Sequence, residues 1–312
     1  MRSFIFSIPA MLIAGLLLVG CSSSDGEKLR LEGERVSVLQ LQSVLEPDPG
    51  VAGDDFKLPT PWVNGYWPQA GGYPDHAMRH VALSSGELKR AWSSSIGSGS
   101  GKQRRLITQP IVVEDKVFAM DTKGVLTAFN SMDGKRIWRV SVVPKGEELT
   151  ALTGGIAFGE HMLYVTDGYG YVLALDPNTG DKIWQYRTKV PARAAPTVLD
   201  GRVYVVTLAN ELVTLSARDG SVLWRHNGIQ ETSGLLGAPS PAASNNTVIV
   251  AYSSGEVFGL RSDNGQVVWA DNLATVRGAG GMGRLSDIRG LPVVSGDMVF
   301  VGSTAGRFVA LN

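Results

Sequence analysis

The sequence is poor in cysteine and has no excess of charge of either sign. One Cys in 312 residues excludes an intramolecular disulfide framework and a Cys-rich metal site. Lys and Arg total 29, as do Asp and Glu, so no net basic field is present to attract the phosphates of a nucleic acid. We therefore expect no nucleic-acid partner.

The sequence also shows no catalytic, cofactor-binding or metal-binding set. Of the four His, only His76 and His80 have an i, i+4 spacing, and because no Cys or clear third ligand accompanies them, all four are predicted to be solvent-facing loop side chains. The glycines between Gly278 and Gly283 fit a dinucleotide-binding motif by letters, but they open no βαβ unit. We predict no catalytic residue, no cofactor and no metal. A Ser-His-Asp set stays an open alternative, although nothing marks a nucleophile.

The one long apolar run lies at the N-terminus. Arg2 precedes residues 4–19, which are almost entirely apolar and have the length of a signal peptide rather than of a membrane-spanning helix. The run ends in Leu18-Val19-Gly20-Cys21, which resembles the bacterial lipoprotein box. The resemblance implies removal of residues 1–20 as a signal peptide and acylation of Cys21, palmitate included. A cleaved signal that leaves a free thiol is the alternative.

Acyl chains on Cys21 would hold the protein stably on a membrane without spanning it. Ser22 follows this cysteine, and in the lipoprotein sorting known for enteric bacteria, Ser at this position permits transport to the outer membrane. We therefore expect a lipid-anchored protein on the periplasmic face of the cell outer membrane. Residues 21–58 are predicted to contain the lipidated Cys and a flexible tether, since the part that follows Cys21 directly is polar and charged.

A repeat of forty-odd residues dominates the rest of the chain. Four copies carry a turn residue, a Gly ten positions later and a Trp four positions after that, and the Trp residues are Trp138, Trp184, Trp224 and Trp269. Each copy also has β-branched and aromatic runs upstream, and an Asp-Gly, Thr-Gly or Asn-Gly turn precedes the Trp strand. The pattern predicts four short strands per copy, with the Trp packing against the neighbouring copy. Residues 59–312 are therefore predicted to be all-β, a β-propeller of four-stranded blades.

The array is incomplete at both ends. Trp92 looks like part of a lone fourth strand, and residues 292–312 supply strands one to three of a fifth unit. Either the Trp92 strand completes this last unit and closes a five-unit ring, or the chain is a C-terminally truncated piece of a longer propeller. We favour truncation, because a sequence that ends on a strand leaves an edge that natural proteins normally cover.

The repeat resembles the unit of quinoprotein-type propellers, which have eight blades. Together with the lipoprotein box, it resembles the BamB family, the β-propeller lipoproteins of the outer-membrane β-barrel assembly (BAM) complex. The residues around Trp92 and the segment Arg284-Leu285-Ser286-Asp287 are the more discriminating parts of this resemblance. On this reading, about five of eight blades are present.

The resemblance implies a non-catalytic scaffold that binds the periplasmic domains of the barrel-inserting subunit and aids insertion of unfolded outer-membrane proteins. The family's two contact loops map here to partner-binding residues Leu235, Leu236, Arg284, Asp287 and Arg289. Leu236 stands where the family has Arg, and Arg289 where it has a second acid, so the contact departs from the family's charge pattern at these two positions. A purely structural role for both loops stays open, with Leu235 and Leu236 entering the core.

Two other functions compete with the scaffold. A quinoprotein-like dehydrogenase is built from the same repeat, but such enzymes are much longer and many carry adjacent cysteines, whereas this chain has one Cys. An envelope propeller lipoprotein with another protein partner is the third possibility. The sequence favours the scaffold because no set of charged or metal-binding groups converges on a cofactor site.

Overall fold

A computed structural model describes residues 49–51, 57–102, 104–147, 154–192, 194–231, 237–274, 287–304 and 306–312. The chain divides into two compact units, Met1–Asp54 and Asp55–Asn312. In the first unit the described residues form a 3₁₀ turn, Pro49–Val51. The second unit carries every described strand. The described residues include no helix long and apolar enough to cross a membrane. Cys21 and the predicted signal peptide lie outside the described residues.

The second unit consists of five antiparallel sheets that follow one another along the chain. Sheet 1 contains β1 (Ile111–Val113), β2 (Lys116–Met120), β3 (Val125–Asn130) and β4 (Arg136–Ser141). Sheet 2 contains β5 (Gly155–Gly159), β6 (Met162–Thr166), β7 (Tyr171–Leu175) and β8 (Lys182–Arg187). Sheet 3 contains β9 (Thr197–Leu199), β10 (Arg202–Val206), β11 (Glu211–Ser216) and β12 (Val222–Asn227). Sheet 4 contains β13 (Ala242–Ser244), β14 (Thr247–Ala251), β15 (Glu256–Arg261) and β16 (Val267–Asn272). Sheet 5 contains β17 (Val293–Ser295), β18 (Met298–Gly302) and β19 (Phe308–Leu311).

The predicted four-stranded unit is therefore confirmed, and the fifth unit has three described strands. Within each sheet the strands pair in chain order, so each connection inside a sheet is a hairpin. In sheets 1 to 4 the pairing of the third and fourth strands shifts register directly after the residue that pairs with the Trp. In sheet 1 the shift lies between Ala128, the partner of Trp138, and Phe129. Such a bulge twists the outer strand relative to its neighbour.

The hydrophobic core is divided into four clusters, and each cluster lies between two neighbouring sheets. The second and third strands of sheets 1 to 4 are largely buried, whereas the fourth strands alternate between exposed and partly buried residues. Because sheets 2 to 4 each bury both faces against their neighbours, a single sheet would leave most of its apolar surface in water. This stacking is the architecture of a β-propeller, as predicted.

The spacing of Gly and Trp that recurs in each copy of the repeat has a direct structural cause. The indoles of Trp138, Trp184 and Trp224 lie on the turn between the third and fourth strands of the next sheet, where the Gly stands. Trp138, for instance, donates a hydrogen bond from Nε1 to Pro177 O at 3.0 Å. Trp269 packs instead against the core between sheets 4 and 5. A Cβ at Gly180, Gly220 or Gly265 would lie 2.4–2.9 Å from the ring that covers it. The Gly is needed because the ring leaves no room for a side chain, and because the turn has a positive φ. The structural role predicted for these Trp residues is thus confirmed.

Trp92 docks in the same way, although it does not belong to a described strand. Its Nε1 donates to Ser131 O at 2.8 Å, and its ring covers Gly134 of sheet 1. Residues 91–95 make no strand pairing with β19 or any other described strand. The five-unit ring closed by the Trp92 strand is therefore not what the described residues form.

Residues 62–82, which precede the repeats, form a loop that we call the axial loop. Its two ends are held together, since Trp62 N donates to His80 O at 3.0 Å and Ala82 N donates to Trp62 O at 2.7 Å. The prediction that all four His are solvent-facing loop side chains is wrong for His226, which lies on β12 and is partly buried, and for His76, which is 6% exposed. Its Nδ1 lies 2.7 Å from Pro292 O, and because a carbonyl only accepts hydrogen bonds, Nδ1 carries the proton.

Candidate partner-binding surface

The predicted partner-binding residues lie on two connections that join the fourth strand of one sheet to the first strand of the next. Residues 228–241 connect β12 to β13, and residues 273–292 connect β16 to β17. These connections lie at the same end of the sheets as the turns between second and third strands. In all four complete sheets, the residue after the fourth strand donates its amide hydrogen to the turn residue, as Gly228 N does to Asn210 O at 2.8 Å. The two loops therefore leave the sheets at the same end.

The structure describes two of the five predicted partner residues. Leu235, Leu236 and Arg284 lie outside the described residues. Asp287 and Arg289 are described, and they differ sharply in exposure: Asp287 is 2% exposed, whereas Arg289 is exposed. Of the two, Arg289 is the side chain that a partner protein could reach directly.

Asp287 lies at the root of the second loop. Its main-chain carbonyl accepts hydrogen bonds from Thr304 N at 2.9 Å and Thr304 Oγ1 at 2.8 Å. The next residue, Ile288, bridges to Ser303 and is buried in the core between sheets 4 and 5. The backbone at this position is therefore fixed to sheet 5, and it sets the place from which Arg289 projects.

The roots of the two loops come together in space. Gly237, at the end of the first loop, has φ +90°, and a Cβ built on it would lie 3.5 Å from Nη2 of Arg289. The guanidinium of Arg289 thus covers Gly237, so the described roots of the two loops are in contact although they are far apart in sequence. The family resemblance predicted neighbouring loops, and the described residues at their roots are neighbours.

The side chains of Asn210 and Glu256, which we call the loop clamp, hold the beginning of the first loop and are not among the predicted partner residues. Asn210, 3% exposed, donates from Nδ2 to Ile229 O at 2.7 Å. Its Oδ1 accepts from Ser253 N at 3.3 Å and Ser253 Oγ at 3.1 Å. Glu256 Oε2 accepts from Ile229 N at 2.6 Å. Both main-chain polar groups of Ile229 are held by side chains, while the Ile229 side chain is 60% exposed.

The signal for this clamp was visible in the repeat. At the first turn position three copies have Gly, at Gly124, Gly170 and Gly255, and the third copy has Asn210. Asn210 keeps the positive φ of the glycines, at +54°, which Asn tolerates better than most residues. The exception to the repeat therefore marks the position where a side chain is needed to hold the connection.

An aromatic pair stands beside the clamp. The hydroxyl of Tyr252 lies 2.9 Å from His226 Nδ1, and the edge of Phe258 packs on the imidazole with ring centroids 4.5 Å apart. Burial lowers the pKa of His226 and raises the pKa of Tyr252. Both groups are therefore neutral near pH 7, and the Tyr252 hydroxyl also donates to His226 O at 3.4 Å. The pair ties β12 to the sheet that follows it.

The arrangement is suited to binding another protein. Within the described ranges, no group of three or more His, Cys, Asp or Glu side chains is close enough to hold a metal ion. What the surface offers is an exposed cation, Arg289, an exposed aliphatic side chain, Ile229, and backbone that is held at both loop roots. Exposed Arg and aliphatic anchors on fixed backbone are typical of protein–protein contacts.

Comparisons with known proteins match the chain over most of its length. A family model described as outer membrane protein assembly factor BamB matches residues 75–153 and 122–312. Similar proteins include the outer membrane protein assembly factor BamB of Yersinia pestis, 31% identical over 228 residues, which cover 72% of this chain and 58% of that protein. The corresponding protein of Escherichia coli K12 is 31% identical over 226 residues, 71% of this chain and 57% of its own length. The chain thus spans a little over half the length of these relatives.

Two solved structures show the same fold. BamB from Moraxella catarrhalis superposes with a TM-score of 0.59 at 20% identity, covering 70% of this chain and 64% of the other. Quinohemoprotein alcohol dehydrogenase from Comamonas testosteroni superposes with a TM-score of 0.56 at 17% identity, covering 79% and 49%. At such low sequence identities the structural similarity shows the fold and does not show an activity.

Proposed function

Because this chain belongs to the BamB family of outer-membrane protein assembly factors, we propose that it acts as a non-catalytic scaffold in the assembly of outer-membrane proteins. In this role it binds the periplasmic domains of the barrel-inserting subunit of the BAM complex. It thereby aids the insertion of unfolded β-barrel proteins into the membrane.

The observation that carries this proposal is the meeting of Gly237 and Arg289 at the roots of the two loops. The contact loops implied by the family resemblance would be useful to a partner only if they were presented together. The held backbone at Asp287 and Ile229 supports the same role, since fixed loop roots reduce the entropy lost on binding.

The location proposed for this scaffold is the periplasmic face of the outer membrane, with acylated Cys21 as the anchor. The support for it is the lipoprotein box in the sequence, together with the names of the relatives, which are outer membrane protein assembly factors. An anchor at Cys21 and a tether up to residue 58 would leave the sheets free to meet a membrane-embedded partner.

No specific observation favours the dehydrogenase alternative. The likeness to quinohemoprotein alcohol dehydrogenase is at 17% identity and covers 49% of that enzyme, so it speaks for the fold alone. The repeat is shared because it builds propellers.

The proposal is tested by affinity capture from envelope extracts with the full chain as bait. We expect the barrel-inserting subunit to be recovered with the unaltered chain, and recovery to fall roughly tenfold with Arg289→Glu, the loss typical of a charged contact residue at an interface. Arg218→Glu is the matched control, because the Arg218 side chain is 91% exposed and lies on a turn at the opposite end of sheet 3. Failure of the unaltered chain to capture the subunit, or equal capture by both variants, would contradict the proposed surface.

A further inference from the structure

The first strand of each sheet has one edge that its own sheet does not use. The other edge pairs with the second strand, as β1 does with β2. On the unused edge, one residue of each first strand points its amide hydrogen away from the sheet, and this residue occupies the same position in all five sheets. It is always the partner of the second residue of the second strand: Val112, Phe158, Val198, Ala243 and Val294.

All five of these amide groups donate to one short segment, residues 67–75 of the axial loop. The hydrogen bonds are 2.7–3.0 Å long. In the order of the sheets, the acceptors are Trp67 O, Pro68 O, Gln69 Oε1, Pro74 O and Asp75 O. The order of the acceptors along the loop is therefore the order of the sheets along the chain. An unpaired backbone N–H in a buried place is costly, and here a single peptide segment satisfies the equivalent group of five sheets.

Gln69 makes the central contact with its side chain. It is 3% exposed, and its Nε2 donates to Val198 O at 2.8 Å and to Phe158 O at 3.4 Å, while its Oε1 accepts from Val198 N. The side-chain amide thus pairs with the edge of β9 as a peptide group of a neighbouring strand would.

The backbone bends between the third and fourth contacts. Gln69 and Gly72 exchange two hydrogen bonds of 3.0 and 2.9 Å, and Gly71 and Gly72 have φ values of +77° and +103°. A Cβ at Gly72 would lie 1.8 Å from Met78 Sδ, so Gly is required there both by the backbone and by the space. The bend carries the segment from sheet 3 to sheet 4, and His76 then fixes it to Pro292, directly before β17.

We propose that the unused edges of the five first strands form a peptide-binding site and that residues 67–76 are its built-in ligand. The ligand is an extended peptide recognised mainly through main-chain hydrogen bonds, with one buried Gln amide at its centre. The contacts between neighbouring sheets couple only neighbours, as in other repeat arrays, whereas this ligand joins sheet 1 to sheet 5. A ligand that binds only the folded array stabilises all of it at once.

The test uses the purified full chain with a protease recognition sequence inserted within residues 84–87, which are exposed. After cleavage, the covalent link between the axial loop and the sheets is cut. We expect the N-terminal fragment to co-elute with the sheets in size-exclusion chromatography. A labelled synthetic peptide of residues 62–82 should then enter the cleaved protein only as fast as the fragment leaves.

The decisive comparison is between Gln69→Ala and Gln266→Ala in the cleavable chain. Gln69→Ala removes three hydrogen bonds and leaves Val198 N without its acceptor, so we expect the fragment to leave at least roughly tenfold faster. Gln266 is exposed on the turn before β16, and its removal should leave the rate unchanged. If Gln69→Ala fails to fold, the proposal is tested by exchange of the labelled peptide into the cleaved unaltered chain. Exchange at the rate at which the fragment leaves supports it, and no uptake of the peptide contradicts it.

Two results would overturn the proposal. One is departure of the fragment on cleavage while the circular dichroism of the remaining sheets is unchanged, since a ligand required at five edges cannot leave without effect. The other is equal release from the two variants. Partner capture through Arg289 is measured separately with the uncleaved chain, so failure here and failure of the proposed function are distinguishable.

Discussion

Two aspartates at the same position of neighbouring sheets should respond in opposite ways to the same substitution. Asp121 follows β2 and Asp167 follows β6, and each uses Oδ1 to accept amide hydrogens of the turn that comes next. They differ in Oδ2. Asp121 Oδ2 accepts from Ser98 N at 3.0 Å and lies 3.7 Å from Arg139 Nη2. Asp167 Oδ2 is buried and has no hydrogen-bond partner among the described residues.

Burial accordingly raises the pKa of the Asp167 carboxyl from 3.8 to about 6, against the opposing effect of the amide hydrogens of Tyr171 and Tyr169. A folded-state pKa above the unfolded one means that the stability contribution of Asp167 is fully present below about pH 4 and is lost as the pH rises through 6. A shift of about two pKa units corresponds to roughly 3 kcal/mol, which is the upper limit of the loss above pH 7.

We therefore expect Asp167→Asn to have nearly the stability of the unaltered chain at pH 4 and to exceed it by roughly 1–3 kcal/mol at pH 8. The amide keeps the Oδ1 acceptor and removes the buried charge. Asp121→Asn should instead lower the free energy of unfolding at pH 8 by roughly 1–3 kcal/mol, because it sets an NH₂ group against Ser98 N–H and Arg139. Urea unfolding followed by circular dichroism, at pH 4, 6 and 8, measures both differences. A loss of stability in both variants at pH 8 would refute the reasoning about Oδ2.

Three further predictions concern the repeat, the anchor and the loop clamp. Gly180→Ala should lower the free energy of unfolding by roughly 2–4 kcal/mol, since its Cβ would lie 2.9 Å from the indole that covers it; Gly146→Ala, with a similar φ of +87° and open space, should cost only about 1 kcal/mol of backbone strain, and equal costs would argue against the docking explanation. Cys21→Ser should abolish labelling with radioactive palmitate and move the protein from the outer-membrane fraction to the soluble periplasmic fraction; persistent labelling would place the anchor elsewhere. Asn210→Gly, which restores the residue of the other copies, should speed amide hydrogen exchange over residues 228–231 several-fold and weaken capture of the barrel-inserting subunit, and unchanged exchange would show that the clamp is dispensable.

The repeat could be predicted from the sequence because its cause is local and recurs. A Trp that covers a Gly-containing turn of the next sheet must keep its distance from its own turn, and the same contact is made by Trp92, Trp138, Trp184 and Trp224. The recurring spacing therefore follows from the packing of each Trp on the next sheet. The burial of His76 could not be predicted in this way. Its partner is the carbonyl of Pro292, and neither the His nor the Pro belongs to a recurring pattern.

The axial loop could not be predicted for the same reason. Of the five groups that accept the first-strand amide hydrogens, four are main-chain carbonyl groups, which leave no signature in the side chains, and the loop occurs once. The candidate surface was partly predictable. The family resemblance indicated which loops to examine, but that Arg289 is displayed and Asp287 is buried depends on how residue 287 pairs with sheet 5, which the letters of the motif do not encode.

The axial loop and the candidate surface are connected through the short stretch that leads into β17. Asp287 is held by Thr304, Ile288 is packed in the core between sheets 4 and 5, and Pro292 accepts the hydrogen bond of His76. Burial lowers the pKa of His76, so the imidazole is neutral near pH 7 and Nδ1 donates to the carbonyl. Arg289 thus projects from a segment that is fixed at both ends, on one side by sheet 5 and on the other by the loop that reaches all five sheets. A partner that binds Arg289 therefore meets a group whose position is set by the whole array, which is the property that a scaffold requires.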